Sequence, residues 1–189
     1  MITRLETPRL VLRKAREDDL DAIWKNVWRD PAIARYMLRK PTETYAEARD
    51  QMVRTLEVQA KGPSFFVCLR ETDEPIGFAG VREEPAGLYE DAGICVATAH
   101  QGKGLGREVV RALCALVFEK LGGDVFLYSC FHENARSAAL CQALGFVYDR
   151  SEMAVRDWDQ RVYTADYYLM NVEMYQKLYP RNQEVEFHD

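Results

Sequence analysis

Gln101-Gly102-Lys103-Gly104-Leu105-Gly106-Arg107 is the stretch of this chain whose residue types and spacing can do the most chemistry. It follows a strand-like run, Ala92-Gly93-Ile94-Cys95-Val96, and opens a long amphipathic segment. A glycine-rich strand-to-helix turn leaves backbone N–H groups uncovered at a helix N-terminus, where the dipole also favours an anion. Glycines at alternate positions let a phosphate approach the backbone without meeting a Cβ. A phosphate-bearing ligand is expected here. A P-loop is excluded, because it requires Gly and Ser or Thr where Ala97 and Gly104 stand. The dinucleotide fingerprint G-x-G-x-x-G is also excluded, since Gly102, Gly104 and Gly106 run G-x-G-x-G. What remains is Q-x-x-G-x-G at a strand-to-helix junction. Its bland counterpart is a glycine-rich helix start with no ligand.

The elements that must position this loop read β, α, α, β, β, β, α, β, α, β, β. Leu10-Val11-Leu12-Arg13 is a first strand. Residues 17–29 form a helix with Leu20, Ile23, Trp24 and Val27 on one face. Asp30-Pro31 ends it, because the residue before proline avoids the helical region. A second helix covers 45–60, stopped by Gly62-Pro63. Strands follow at 65–70, 76–81 and 89–96. From residue 104 to 121 the set Val109, Val110, Leu113, Leu116, Val117 and Leu121 recurs at helical spacing, and Gly122-Gly123 closes it. A strand at 125–130 precedes Asn134, a suitable N-cap for a helix through Leu144. Residues 153–155 and 164–172 form a last β pair around Asp157-Trp158-Asp159-Gln160. Residues 180–189 are expected to fray as a polar tail, leaving 1–179 as one domain.

Bulk properties narrow the function classes. A length of 189 residues suits one core, and 48% apolar with 29% charged residues describes a globular chain. The net charge of −5 argues against broad binding to nucleic acid or an anionic membrane. Cys68, Cys95, Cys114, Cys130 and Cys141 are odd in number with no C-x-x-C, so neither a disulfide framework nor a zinc site is expected. His132-Glu133 is not followed by the second histidine of a zinc-protease helix, and no metal is expected. The first ten residues lack the apolar core of a signal peptide, and the longest apolar run, 112–118, is too short to span a bilayer. A cytoplasmic location is the expectation.

Taken with its order of elements, the glycine loop resembles the pyrophosphate-binding loop of the GNAT acyl-CoA N-acyltransferase superfamily. Thr7-Pro8-Arg9-Leu10-Val11-Leu12-Arg13 followed by Glu17-Asp18-Asp19-Leu20 is similar to the start of its Rim-type branch, which acts on ribosomal-protein N-termini and small amines. Asn134-Ala135-Arg136-Ser137 and Leu144-Gly145-Phe146 resemble that branch's second cofactor-binding helix and the strand entry after it. The likeness covers about residues 3–175. It implies an α/β (α+β) fold whose mixed, mostly antiparallel sheet splays between its fourth and fifth strands and is flanked by helices. It also implies acetyl-CoA as cosubstrate, its pantetheine arm along the backbone of Ile94, Cys95 and Val96. The pyrophosphate would lie on Gln101, Gly102, Lys103, Gly104, Leu105, Gly106 and Arg107, and Asn134 and Ser137 would meet the cofactor from the other side.

The resemblance places Asp91 where the branch carries an acid. Strict alternation would put Asp91, Gly93 and Cys95 on one face, looking into an acceptor cleft. The superfamily's usual tyrosine acid, seven residues after the helix-starting Asn, is here Cys141. That thiol is either a proton donor to the leaving thiolate or an inert packing residue. Trp24, Trp28 and Tyr36 are candidates for the acceptor mouth, with Trp24 the one expected in the core. The resulting expectation is an acetyl-CoA-dependent N-acetyltransferase acting on a primary amine, a protein N-terminus or a small molecule, by direct transfer in a ternary complex. A non-catalytic acyl-CoA-binding or sensing module is the alternative, and a partner-binding domain with a vestigial loop is a third class. A homodimer is left open.

Overall fold

Leu10, Val11, Leu12 and Arg13 are all buried, as an interior strand requires. This strand is β2 of nine that form one sheet in the computed structural model, which describes residues 2–180 and 184–189. The strands are β1 (Arg4–Glu6), β2 (Leu10–Arg13), β3 (Ser64–Leu69), β4 (Pro75–Glu84), β5 (Leu88–Val96), β6 (Val125–Phe131), β7 (Val147–Arg156), β8 (Arg161–Asn171) and β9 (Glu186–His188). Their order is β7-β8-β6-β5-β4-β3-β2-β1-β9. Among the described strands only β5 and β6 pair in parallel, the relation that needs a helical crossover. That crossover is α4 (Leu105–Ala115), whose Leu105, Val109, Val110 and Leu113 are buried. It continues as a wider-wound turn, Leu116–Lys120, and ends at Gly122, φ 69°.

The other helices flank the same sheet. Helix α1 (Leu20–Ile23) packs on β4 and widens into a π-type turn over Trp24–Trp28. Helix α3 (Tyr45–Lys61) lies on β3, and α5 (Ala135–Ala143) lies on β6 and β8. The α3 start is a capping box: Thr44 accepts from the Glu47 N–H while Glu47 reaches back to the Thr44 N–H.

Two expectations are corrected. Asp30-Pro31 does not simply end a helix. Asp30 accepts from the Ala32 N–H and Pro31 opens α2 (Pro31–Ala34), because aspartate at the N-cap with proline at the first position also starts one. The tail does not fray throughout: β9 pairs with β1, Leu5 standing opposite Phe187, and α6 (Val172–Leu178) precedes it. Residues 181–183 of that predicted tail lie outside the described residues. The splay lies where it was expected, between the strands at 89–96 and 125–130, which the added β1 renumbers as β5 and β6.

Candidate active site

The site begins where two strands stop pairing. β5 and β6 are in register at Leu88↔Val125, Tyr89↔Phe126 and Glu90↔Leu127, and the ladder ends there. Beyond it, β6 stays bound to β8 while β5 stays bound to β4, so a gap opens between them. Asp91 stands at the vertex. Its carboxylate accepts from the Ser129 N–H at 2.7 Å, the Ser129 hydroxyl at 2.8 Å and the Gly93 N–H at 3.3 Å. The side chain thus replaces the next rung of the ladder. Burial pushes its carboxyl up to about 6, against the pull of those donors, which favour the ionised form.

Alternation along β5 does not hold. Ala79 faces Ile94 while Val81 faces Asp91, so Ala92 and Gly93 together oppose Gly80. This is a β-bulge, with Gly93 at φ 98°, a conformation that suits glycine. Asp91, Gly93 and Cys95 therefore do not share one pleated face. The carboxylate is turned to Ser129 of β6 at the point where the bulge breaks the pleat.

Past the bulge the ladder fixes which backbone groups are free. The Ala97 N–H donates to the Ile76 carbonyl at 2.6 Å, and Cys95 stands opposite Phe78. In an antiparallel ladder, alternate residues turn their N–H and C=O away from the partner. Ile94 and Val96 consequently present theirs to the gap, and Cys95 presents its own to β4. Two of the three expected backbone positions face the gap. The Val96 carbonyl is taken by the Gln101 side chain at 2.9 Å, and Arg136 of α5 donates to the same Gln101 at 2.9 Å. Gln101 thereby ties the end of β5 to α5.

The glycine loop arrives beside this edge. Gly102 and Gly104 have φ of 77° and 79°, and Gly104 is the N-cap of α4 with no side chain to cap it. The first helical bond, from the Glu108 N–H to the Gly104 carbonyl, leaves the preceding N–H groups without intrahelical partners. A Cβ on Gly102 would meet nothing within 4 Å, and one on Gly104 only the end of Arg9 at 3.5 Å. That open cradle of N–H donors fits a phosphate. Gly106 has another duty: a Cβ there would stand 3.1 Å from Leu140, so it permits close packing of α4 on α5. Lys103 is exposed beside the cradle, whereas Arg107 donates to the Ala143 carbonyl at 2.9 Å and caps the end of α5.

Sequence reasoning missed what holds the loop. Arg9 donates to the Lys103 carbonyl and to Glu108, each at 2.8 Å, and Glu108 also accepts from the Thr7 hydroxyl and the Arg9 N–H. The Thr-Pro-Arg triplet was visible as a motif. Its contact with α4, about a hundred residues on, carries no local signal.

Helix α5 supplies the other wall. Asn134 caps it, its side-chain oxygen accepting from the Ser137 N–H at 3.2 Å. The Ser137 hydroxyl bonds the buried Tyr128 hydroxyl at 2.7 Å. Cys141 is wholly buried, donates to the Ala138 carbonyl at 3.2 Å, and has its thiol pushed up to about 12 by burial. A thiol so placed packs the helix against the sheet. Cys141→Ala is expected to cost roughly 1–2 kcal/mol of stability, with turnover per folded molecule unchanged. A thermal melt paired with kinetics corrected for active fraction checks this, and a fall in kcat at full folding would return the thiol to the chemistry.

On the other side of the bulge lies a pocket of about 340 Å³, lined by Ala92 and Gly93 together with residues of α3, β3 and β4. Trp28 and Arg39 close it, and Gln51 and Arg54 stand on its α3 wall. Of the candidates Trp24, Trp28 and Tyr36, it is Trp28 that lines the pocket. Trp24 packs edge-on to Tyr45 and Tyr36 packs against Phe131.

These features match known proteins. The sequence profile of the family described as an acetyltransferase (GNAT) domain matches residues 9–147. The chain belongs to the GNAT acetyltransferase family. It is 31% identical over 160 residues to the uncharacterized N-acetyltransferase p20 of Bacillus licheniformis, covering 82% of this chain and 87% of that one. Its fold is similar to that of a GNAT-family acetyltransferase from Bacillus anthracis, with a TM-score of 0.79 at 17% identity over 90% of this chain and 99% of the other. It is also similar to a spermidine N-acetyltransferase from Vibrio cholerae in complex with CoA and spermine, with a TM-score of 0.72 at 20% identity over 88% and 97%. The chain is an acetyl-CoA-dependent acyltransferase, and GNAT acetyltransferases act on amine acceptors. No helix among the described residues is long and apolar enough to cross a membrane.

Proposed function

We propose that this GNAT protein transfers the acetyl group of acetyl-CoA directly to a primary amine, in the cytoplasm and without a metal. One observation carries the reading: the freed β5 edge, the uncapped α4 start and the Asp91 carboxylate converge on one gap. Acetyl-CoA brings the thioester. The N–H groups of residues 102–107 hold its pyrophosphate, Ile94 and Val96 pair with its pantetheine amides in the manner of an added strand, and Asn134 and Ser137 border it from α5. A backbone N–H at Val96 polarises the thioester carbonyl. Asp91 takes the proton that the acceptor ammonium must lose before it can attack. The Rim-type character rests on the Thr7–Leu20 resemblance. A sensing module is the less favoured alternative, since such a protein has no use for a carboxylate poised at the vertex.

Direct transfer is favoured over an acetyl-enzyme because all five cysteines are buried. Intact-mass measurement after incubation with acetyl-CoA alone is expected to show the unmodified protein, with thiol release only once an amine is added. A stable acetyl adduct formed without amine would overturn the direct route.

A further inference from the structure

The 340 Å³ pocket is charged in one sense only. Arg39 and Arg54 line it, and none of the described residues lining it is Asp or Glu. This stands out in a chain whose formal charge is −5. Arg54 has a weak tie, its guanidinium donating to Gln51 at 3.3 Å. Arg39 has none. Its guanidinium lies 4.7 Å from the Phe78 ring centroid and 5.5 Å from that of Trp28. No carboxylate among the described residues pairs with it, and burial depresses its pKa. The rings attract the cation through their faces, but they satisfy none of its five N–H donors, which lie in the guanidinium plane. Arg39 is half-buried, so its N–H donors stay open to whatever occupies the pocket, and a forked cation left without a protein anion in a cleft is a place for a ligand's anion.

The position of Arg39 says what that ligand is. Ala92 and Gly93, the two residues after Asp91, line the same pocket, so one end of it lies at the β5 bulge. A molecule whose amine stands at the bulge end of this pocket extends its remainder toward Arg39. We propose that the acceptor carries a carboxylate besides its amine, and that the Arg39 guanidinium, held between Trp28 and Phe78, binds that carboxylate in the pocket. This rests on the acetyl-transfer reading above. Planar, forked guanidinium donors match a carboxylate in a two-bond geometry that a lysine ammonium cannot reproduce. A polyamine would bring cations to a pocket that already holds two.

The test is thiol release from acetyl-CoA with amino acids, their C-terminal amides and spermidine, using the unaltered protein, Arg39→Lys and Arg39→Met. Methionine replaces a half-buried cation that has no carboxylate partner by an apolar chain, so the variant is expected to fold and to bind acetyl-CoA by calorimetry as the parent does. The expected result is at least about tenfold higher kcat/KM for the best acid than for its amide. Arg39→Met should erase that ratio and Arg39→Lys should restore it in part. Equal use of acid and amide, preference for spermidine, or a ratio that survives Arg39→Met would overturn the proposal. If none of these amines is acetylated, titration of the corresponding N-acetyl amino acids into the CoA-bound protein decides. Binding that Arg39→Met abolishes sustains the proposal, and absence of binding overturns it. Failure of the unaltered protein to bind acetyl-CoA would sink the acetyl-transfer reading instead.

Discussion

Asp91→Asn is expected to lower kcat/KM about 100-fold or more, the scale of a lost general base, while acetyl-CoA affinity holds. The amide keeps the shape of the side chain. Its oxygen can still accept from the Ser129 N–H and hydroxyl, and only the weaker 3.3 Å contact with the Gly93 N–H is lost. The vertex should therefore stay bracketed, and the loss should fall on proton transfer. The sign of the pH dependence follows from the raised pKa. Burial places the folded carboxyl at about 6, above its unfolded value, so the folded protein binds this proton more tightly. Stability contributed by the protonated group is lost as pH rises from the unfolded value through about 6, over the interval in which the base becomes available. Activity should climb with pH through that region in the parent, and Asp91→Asn should lose that limb of the profile. An unchanged profile in the variant would reduce Asp91 to a structural bracket.

How much of this was legible in the sequence depends on how far each feature reaches. The glycine loop, the Asn134 cap and the α4 stripe are local patterns, and each stands where its spacing implied. β9 is three residues long and pairs with β1 across the chain, Leu5 opposite Phe187, so no window of sequence contains that pairing; β1, equally short, pairs locally with β2 but is too brief to carry a strand pattern. The Asp91 environment was misread because alternation presupposes an unbroken pleat. The bulge at Ala92 and Gly93 lies opposite Gly80, a pairing register that the letters do not state. Arg39 drew no notice for a similar reason. An arginine in a loop reads as surface charge, and only the fold sets Trp28 on one of its sides and Phe78 on the other. Cys141, ambiguous by resemblance, owes its burial and its bond to Ala138 to the packing of α5, which the letters do not state.

Gly104→Ala is expected to weaken acetyl-CoA binding by at least about tenfold, or ~1.4 kcal/mol. Space is not what forbids a side chain there in the free protein, since a Cβ would meet only the end of Arg9 at 3.5 Å. The methyl group would occupy the concave face where phosphate must lie against the N–H groups. Alanine at φ 79° also carries a left-handed penalty of roughly 1–2 kcal/mol, which could lower affinity by loosening the helix start alone. Gly122 separates the two effects. It has φ 69°, a Cβ there would meet nothing within 4 Å, and it closes the opposite end of the same helical segment. Gly122→Ala should pay a similar backbone penalty and leave the ligand untouched. The decisive measurement is calorimetric titration of acetyl-CoA into the parent, Gly104→Ala and Gly122→Ala, each checked by thermal melt. The account predicts tight binding to the parent and to Gly122→Ala, with the loss confined to Gly104→Ala. Equal affinity in all three folded proteins would contradict it.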